Sequence, residues 1–225
     1  QSIDSWISDI ETLISLKVPE FTLYHLRINP HTSLRNYRTN LKKQLLMFYH
    51  AKILLEKEGY IQVRPIHFIR KEYVNVWKKY KAAPTTDQRE KGINQGFVLG
   101  FGVSAISHIG NYLYCNTCCF DEYYLNIDSK KLPIEREFIL TQKDKVARFF
   151  IQKLTQNMKG FTMGEYERIL GREMNEIENG KIEKLIALGL VKKENDWIKL
   201  SDKGLLVFDI IERYFYPEHK RLGFS

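Results

Sequence analysis

The stretch Gly96 to Cys119, GFVLGFGVSAISHIGNYLYCNTCC, holds the residues best suited to chemistry: closely spaced glycines, a histidine and the three cysteines of the chain. Gly100, Gly102 and Ser104 alternate, and alternate residues of a strand share a face. Read as strand, turn, strand, the stretch has one face nearly bare of side chains. Such a face admits a neighbouring backbone or a ligand lying flat against it, and the residue types leave both open. A phosphate loop is excluded. There is no Gly-x-x-x-x-Gly-Lys-Ser/Thr, and no third glycine follows Gly100-x-Gly102 to open a helix. Cys115 and Cys118 have a zinc-like spacing, but no second pair completes a site. With Cys119 they read as structural or incidental thiols, and no metal site is expected. His67 and His108 are proton donors near neutral pH or satisfied structural histidines.

The elements that must position these residues follow from pattern. The 225 residues are 44% hydrophobic and 28% charged, a globular balance long enough for one large domain or a medium and a small one. No apolar run approaches the ~18 residues of a membrane span. Asp4, Asp9 and Glu11 interrupt the first apolar segment, so it does not read as a signal peptide. Three cysteines argue against a disulfide framework, and a cytoplasmic location is expected. The net charge of +8 is compatible with an anionic partner or with a lysine-rich surface alone.

Ser2–Leu16 is a predicted helix capped by Ser2, with Ile3, Trp6, Ile7, Ile10, Leu13 and Ile14 on one face. Phe21–Ile28 alternates as a strand, Tyr37–Glu58 is a helix stopped by Gly59, and Tyr60–Ile69 is a second strand with Pro65 at an edge or bulge. This helix–strand–helix–strand rhythm predicts a βαβ sheet entered partway through a repeat. Lys71–Tyr80 is a short helix, 82–94 a loop and Phe120–Ser129 a helix, with a linker at Pro133. Helices follow at Thr141–Asn157, Thr162–Leu170 and Glu173–Leu188. A hairpin at Leu190–Leu200 and a helix capped by Ser201 complete a winged-helix-like module.

The residues LGFGVSAISHIGNYLYCN carry a resemblance. The radical S-adenosylmethionine enzymes of the oxygen-independent coproporphyrinogen III oxidase family have a Leu-Gly-x-Gly-Val-Ser-Ala-Ile-Ser-x-Ile-Gly run with an asparagine shortly after it. Leu99, Gly100, Gly102, Val103, Ser104, Ala105, Ile106, Ser107, Ile109, Gly110 and Asn116 match it. QSIDSW resembles the family's Gln-Thr-x-x-Ser-Trp helix start, and LYHLRINPHTSL resembles its strand and turn. Gly59–Tyr60 and His67–Phe68 resemble its Gly-Tyr strand ending in His-Phe. ALGLVKKENDWIKLSDKGLLVFD resembles its C-terminal Gly-Leu-Val…Leu-Thr-x-x-Gly-x-x-x-x-Asp module.

The resemblance covers essentially the whole chain and implies an α/β fold. Residues 1–135 would be the C-terminal part of a radical-SAM partial (β/α) barrel with its extension, and residues 136–225 a small winged-helix-like α+β domain. The family's Cys-x-x-x-Cys-x-x-Cys lies far upstream of the first motif, so the cluster-binding half is expected outside this chain. The implied parent is an oxidoreductase that removes two propionate carboxyl groups in porphyrin synthesis. Its cofactors are S-adenosylmethionine and a 4Fe-4S cluster, the latter not bound by this chain.

The resemblance places Gln95, Gly100, Gly102, Ser104, Ala105 and Ile106 at the cofactor, with Ile106 at a position that contacts a second S-adenosylmethionine. Arg64, His67, His108 and Asn116 are the candidate substrate-binding residues. Coproporphyrinogen has four propionates, and Arg64, Arg70, Lys71 and Arg27 would pair with carboxylates or form a solvated rim. Arg64 stands where the oxidases have an uncharged residue, and His25 where related heme chaperones have glutamate. Methylating, cyclopropanating and heme-opening relatives and the heme chaperone therefore stay open as alternatives. The expected partners are a porphyrinogen or other small molecule and the other half of the barrel, with no membrane. Nucleic-acid binding through the winged-helix-like tail is the rival class. The glutamates at 173, 176, 178 and 183 on its third helix oppose DNA phosphates.

Overall fold

The computed structural model describes residues 1–28, 32–82, 98–155 and 158–216. Helix α1 (Ile3–Ser15) begins where expected, because the Ser2 hydroxyl accepts the Ser5 N–H. Its buried Ile10 faces α2 (Leu41–Lys57), and the Trp6 indole donates to the Met47 carbonyl at 2.9 Å. Helix α2 starts four residues later than the periodicity predicts. Ser33–Asn36 forms a 3-10 turn, and the Asn40 side chain caps Lys43 N–H. Gly59, at φ +83°, stops the helix as expected.

The predicted strand from Tyr60 to Ile69 is two strands, β2 (Tyr60–Arg64) and β3 (His67–Arg70). Proline fixes φ and offers no N–H, so Pro65 serves a turn better than a ladder. The Gln62 amide donates to its carbonyl at 2.9 Å. The chain therefore reverses at once, and the sheet with β1 (Glu20–Thr22) has order β1–β3–β2 with antiparallel neighbours. The expected parallel βαβ crossover is replaced by this hairpin. Strand β1 is also shorter than predicted. Leu23 N–H still donates to Ile66 O at 2.9 Å, and no further backbone hydrogen bond extends the ladder to Ile28 among the described residues. Ile10, Phe21, Leu23, Phe48, Leu55, Tyr60 and Phe68 form the core of this unit. Helix α3 (Val74–Ala82) follows.

The second sheet is a hairpin of β4 (Ile106–Ile109) and β5 (Tyr112–Asn116), extended by β6 (Ile134–Ile139). Residues 99–105, predicted as strand, are a loop, because Gly102 (φ +100°) and Ser104 (φ +59°) leave the extended region. Helix α4 (Phe120–Asp128) matches expectation. Strand β6 stands where a linker was expected. Its sequence, Ile-Glu-Arg-Glu-Phe-Ile, is exposed throughout and carries three charges that mask its alternation.

In the C-terminal module, α5 (Gln142–Phe150) opens on a capping box between Thr141 and Asp144 and passes into a π turn at Ile151–Thr155. Then come β7 (Phe161–Thr162), α6 (Met163–Leu170), α7 (Glu176–Ala187), β8 (Val191–Glu194), β9 (Trp197–Leu200), α8 (Asp202–Leu206) and α9 (Phe208–Phe215). Phe149, Phe150, Phe161, Tyr166 and Phe215 pack ring to ring at its centre, and each buried ring contributes roughly 1.5–3 kcal/mol. Helix α7 starts three residues later than expected, at the Asn175 cap, so Glu173 lies outside it. Glu178 turns inward to Arg172 and Tyr166. Leu206 packs onto the core of the first unit and ties the module to it. No helix among the described residues is long and apolar enough to cross a membrane.

Candidate functional site

The glycine loop is held from below by β5. Asn116, buried at the end of that strand, donates its side-chain amide to Gly102 O at 2.9 Å and to Gly100 O at 3.4 Å. Gly100 N–H donates to the Ser107 hydroxyl and Gly102 N–H to the Tyr123 hydroxyl, both at 3.0 Å. Ser104 N–H reaches Thr117 O, and Asn116 N–H reaches Ala105 O. The sequence-predicted Gly100, Gly102, Ser104, Ala105, Ile106 and Asn116 thus come together, with Asn116 acting on the loop itself. Gln95 lies outside the described residues.

The two glycines differ. A Cβ on Gly100 would meet the backbone of Ile106 at 2.7–2.9 Å, so neighbouring backbone fills that position. Among the described residues a Cβ on Gly102 would meet nothing within 4 Å, and Phe101 beside it is exposed.

His108 sits apart, 5% exposed, its backbone paired with Val98. Burial, and then the Arg148 charge, push its imidazole below the usual range, while a hydrogen bond with the Gly110 backbone opposes them. A folded-state histidine that resists protonation makes folding weaker as pH falls below the ordinary 6.5. His108→Leu is expected to flatten that acid-side decline in urea unfolding midpoints. An unchanged slope from pH 7 to 5 would show that His108 titrates freely.

Arg64 and His67 meet elsewhere. They line a cleft of about 530 Å3 between the β2–β3 turn, the extended segment after β1, and α9. His67 Nδ1 lies 2.8 Å from Glu20 Oε1 and 3.3 Å from Thr22 Oγ1. The Arg64 guanidinium stands 6.0 Å from the Trp77 ring centre. Arg27, half exposed, reaches Asp209 at 3.9 Å and Glu212 at 3.8 Å from the other wall. Arg70 is paired with Glu72 at 2.8 Å, and Lys71 is exposed. His25 Nδ1 lies 3.4 Å from Asp209 Oδ1, an ion-pair distance without hydrogen-bond geometry.

Burial pushes the Asp209 carboxyl up, but His25, Arg27 and Arg213 outweigh it and hold it below the usual range. Burial raises Glu212, and Asp209 adds to the rise, against the opposing pull of Arg27, Arg213 and a Tyr216 hydrogen bond. Neighbouring carboxyls pushed in opposite directions occur in proton-handling sites and in structural ion-pair networks alike. Sequence reasoning missed Asp209 and Glu212 as site residues. The signal was present, since Asp209 closes the Leu-x-x-x-Gly-x-x-x-x-Asp tail.

No protein-family model and no curated protein matches the chain. Among solved structures, it is similar to coproporphyrinogen III oxidase (HemN) from Escherichia coli, a radical SAM enzyme, with a TM-score of 0.70 at 20% identity. The match covers 96% of this chain and 52% of that one. The chain has the fold of half of a radical SAM coproporphyrinogen III oxidase. It spans about half the length of that enzyme, with small sheets and helices mixed as an α/β fold.

The three cysteines are free thiols. Cys118 and Cys119 are exposed at the start of α4, and Cys115 Sγ lies 3.6 Å from Asn116 O and 3.7 Å from the Arg136 guanidinium. No three His, Cys, Asp or Glu side chains converge as metal ligands among the described residues.

Proposed function

We propose that this chain is the C-terminal half of a radical S-adenosylmethionine oxidoreductase acting on coproporphyrinogen III or a related tetrapyrrole. The supporting observation is the joint one: a fold shared over nearly the whole chain, and a glycine loop whose Gly100, Gly102, Ser104 and Ala105 are held by Asn116, Ser107, Tyr123 and Thr117. Residues 1–135 would complete the barrel and its extension, and residues 136–225 would form the winged-helix-like cover. S-adenosylmethionine would rest on the backbone of Gly102, Ser104 and Ala105 beside Ile106, with Gln95 adjacent. When bound beside a cluster it supplies a hydrogen-abstracting radical. This chain's own part is to position it, to hold substrate carboxylates at Arg64 and His67, and to exclude water. The partner is the cluster-bearing half, and the location is cytoplasmic. A DNA partner is disfavoured, because phosphate binding needs basic surface and Glu176 and Glu183 offset Lys181 and Lys184 on α7.

A polypeptide joining this chain to a cluster-bearing half, reconstituted without oxygen, is expected to consume coproporphyrinogen III and release carbon dioxide only with S-adenosylmethionine present. Cleavage of S-adenosylmethionine with the porphyrinogen untouched would redirect the reading to the methylating, cyclopropanating or heme-opening relatives. No cleavage would overturn it. The chain alone is expected to take up no four-iron cluster by iron and sulfide analysis, and near-stoichiometric uptake through Cys115, Cys118 and Cys119 would contradict this.

A further inference from the structure

The outward side of α2 carries a repeat that the fold does not use. Phe48, Ala51 and Leu55 are its buried residues, and α1, β2 and α8 pack against the helix without covering the opposite side. There Lys42, Leu46, Tyr49, Ile53 and Glu56 recur at spacings of four, three, four and three. That alternation keeps residues on one stripe of a helix and is the pattern of a coiled-coil seam. All five are exposed, with Leu46, Tyr49 and Ile53 at 39%, 44% and 46%. Beside the seam lies a groove of about 460 Å3, lined by Leu41, Leu45, Leu46, Tyr49 and, from α8, Leu206. Single exposed apolar residues need no partner, but a contiguous stripe over an apolar groove marks an interaction site.

The charges at the two ends of the seam select the occupant. Lys42 lies seven residues before Tyr49 and Glu56 seven residues after it, so the stripe is symmetric in position and opposite in charge. A second copy laid antiparallel sets Lys42 of each copy against Glu56 of the other, Leu46 against Ile53, and Tyr49 against Tyr49. A parallel copy would oppose lysine to lysine and glutamate to glutamate. Lys52 pairs with Glu56 of its own helix and with Gln62 of β2 at 3.0 Å, so its charge lies beside the seam and not across it. We infer that two copies of this chain associate through α2, antiparallel about Tyr49, in a two-fold symmetric contact. Ile53 of each copy packs at the groove beside Leu46 of the other. The contact is essentially one helix pair, at the small end of specific interfaces, so a reversible dimer of micromolar affinity is expected. Such a dimer is independent of the proposed activity.

Sedimentation velocity of the 225-residue chain tests the contact. Half-dimerisation at or below about 100 µM is expected, and a chain still mainly monomeric there overturns it. Ile53→Glu is expected to be monomeric at the same concentration, with its urea midpoint kept because Ile53 is half exposed. Lys42→Glu and Glu56→Lys each set like charges together twice in a symmetric dimer, and either alone should weaken association at least about fivefold. Mixed in equal amounts, these two variants should dimerise with one another as the parent does, because every pair across the seam is then opposite again. Neither a folding defect nor a contact elsewhere on the surface produces that recovery. A dimer that persists in Ile53→Glu, or charge variants that stay apart when mixed, overturns the antiparallel seam.

Discussion

Asp209→Ala is expected to destabilise the chain by about 3 kcal/mol and to loosen the C-terminal module from the first unit. Asp209 is 4% exposed and faces His25 and Arg27 across the seam. Removing one partner of a buried charge cluster leaves the others uncompensated, and that loss normally falls near 3–5 kcal/mol. The low end applies here, because Arg27 is half exposed and keeps Glu212. Urea unfolding gives the stability, and hydrogen exchange along α9 reports the loosening. A loss below about 1 kcal/mol with unchanged exchange would mean that Leu206 and Phe208 alone hold the seam.

The same cluster sets opposite pH slopes. Asp209 is held below its ordinary 3.8, so its contribution is present above that value and is lost as pH falls through the folded value. Glu212 is pushed above its ordinary 4.5, so stability declines as pH rises from 4.5 through its folded value. Glu212→Gln should remove that decline while leaving the acid-side loss from Asp209 in place.

Where local chemistry decides structure, the sequence is readable. Ser2, Thr141, Thr162 and Ser201 cap the helices that their positions predict, and Gly59 stops α2. Elements fail where tertiary partners decide. Residues 23–28 have strand composition, but a strand is recognised only when paired. Pro65 divides one expected strand into two and so turns a parallel rhythm into an antiparallel sheet. Strand β6 is hidden by its charges. For the site, the motif residues around Gly102 are legible by type and spacing, but the role of Asn116 is not. An amide at a strand end offers the same atoms to a ligand or to a loop, and only the loop carbonyls 2.9 and 3.4 Å away decide. The cleft was half legible. Arg64 and His67 came from the first unit, while Asp209 and Glu212 are about 140 residues further along the chain and meet them only through the packing of α9.

Gly100→Ala and Gly102→Ala are expected to fail differently, and the difference separates packing from ligand approach. At Gly100 the added methyl meets Ile106 O at 2.7 Å and Ile106 N at 2.8 Å. These are backbone atoms at the start of β4, which cannot swing aside as a flexible side-chain tip does. The loop must lift off β4, straining the amide bonds from Asn116, at a cost of about 3 kcal/mol. At Gly102 the methyl meets no described residue within 4 Å, and the cost is that of the positive φ, about 1–2 kcal/mol. Methyl NMR of Ile106 reads the distinction: its resonance shifts in Gly100→Ala and stays in place in Gly102→Ala. In a polypeptide joining this chain to a cluster-bearing half, Gly102→Ala should then lose S-adenosylmethionine affinity out of proportion to its small loss of stability, because the new methyl occupies the space the proposed ligand would take. If folded Gly102→Ala binds S-adenosylmethionine as the parent does, the position beside Gly102 is not where that molecule rests.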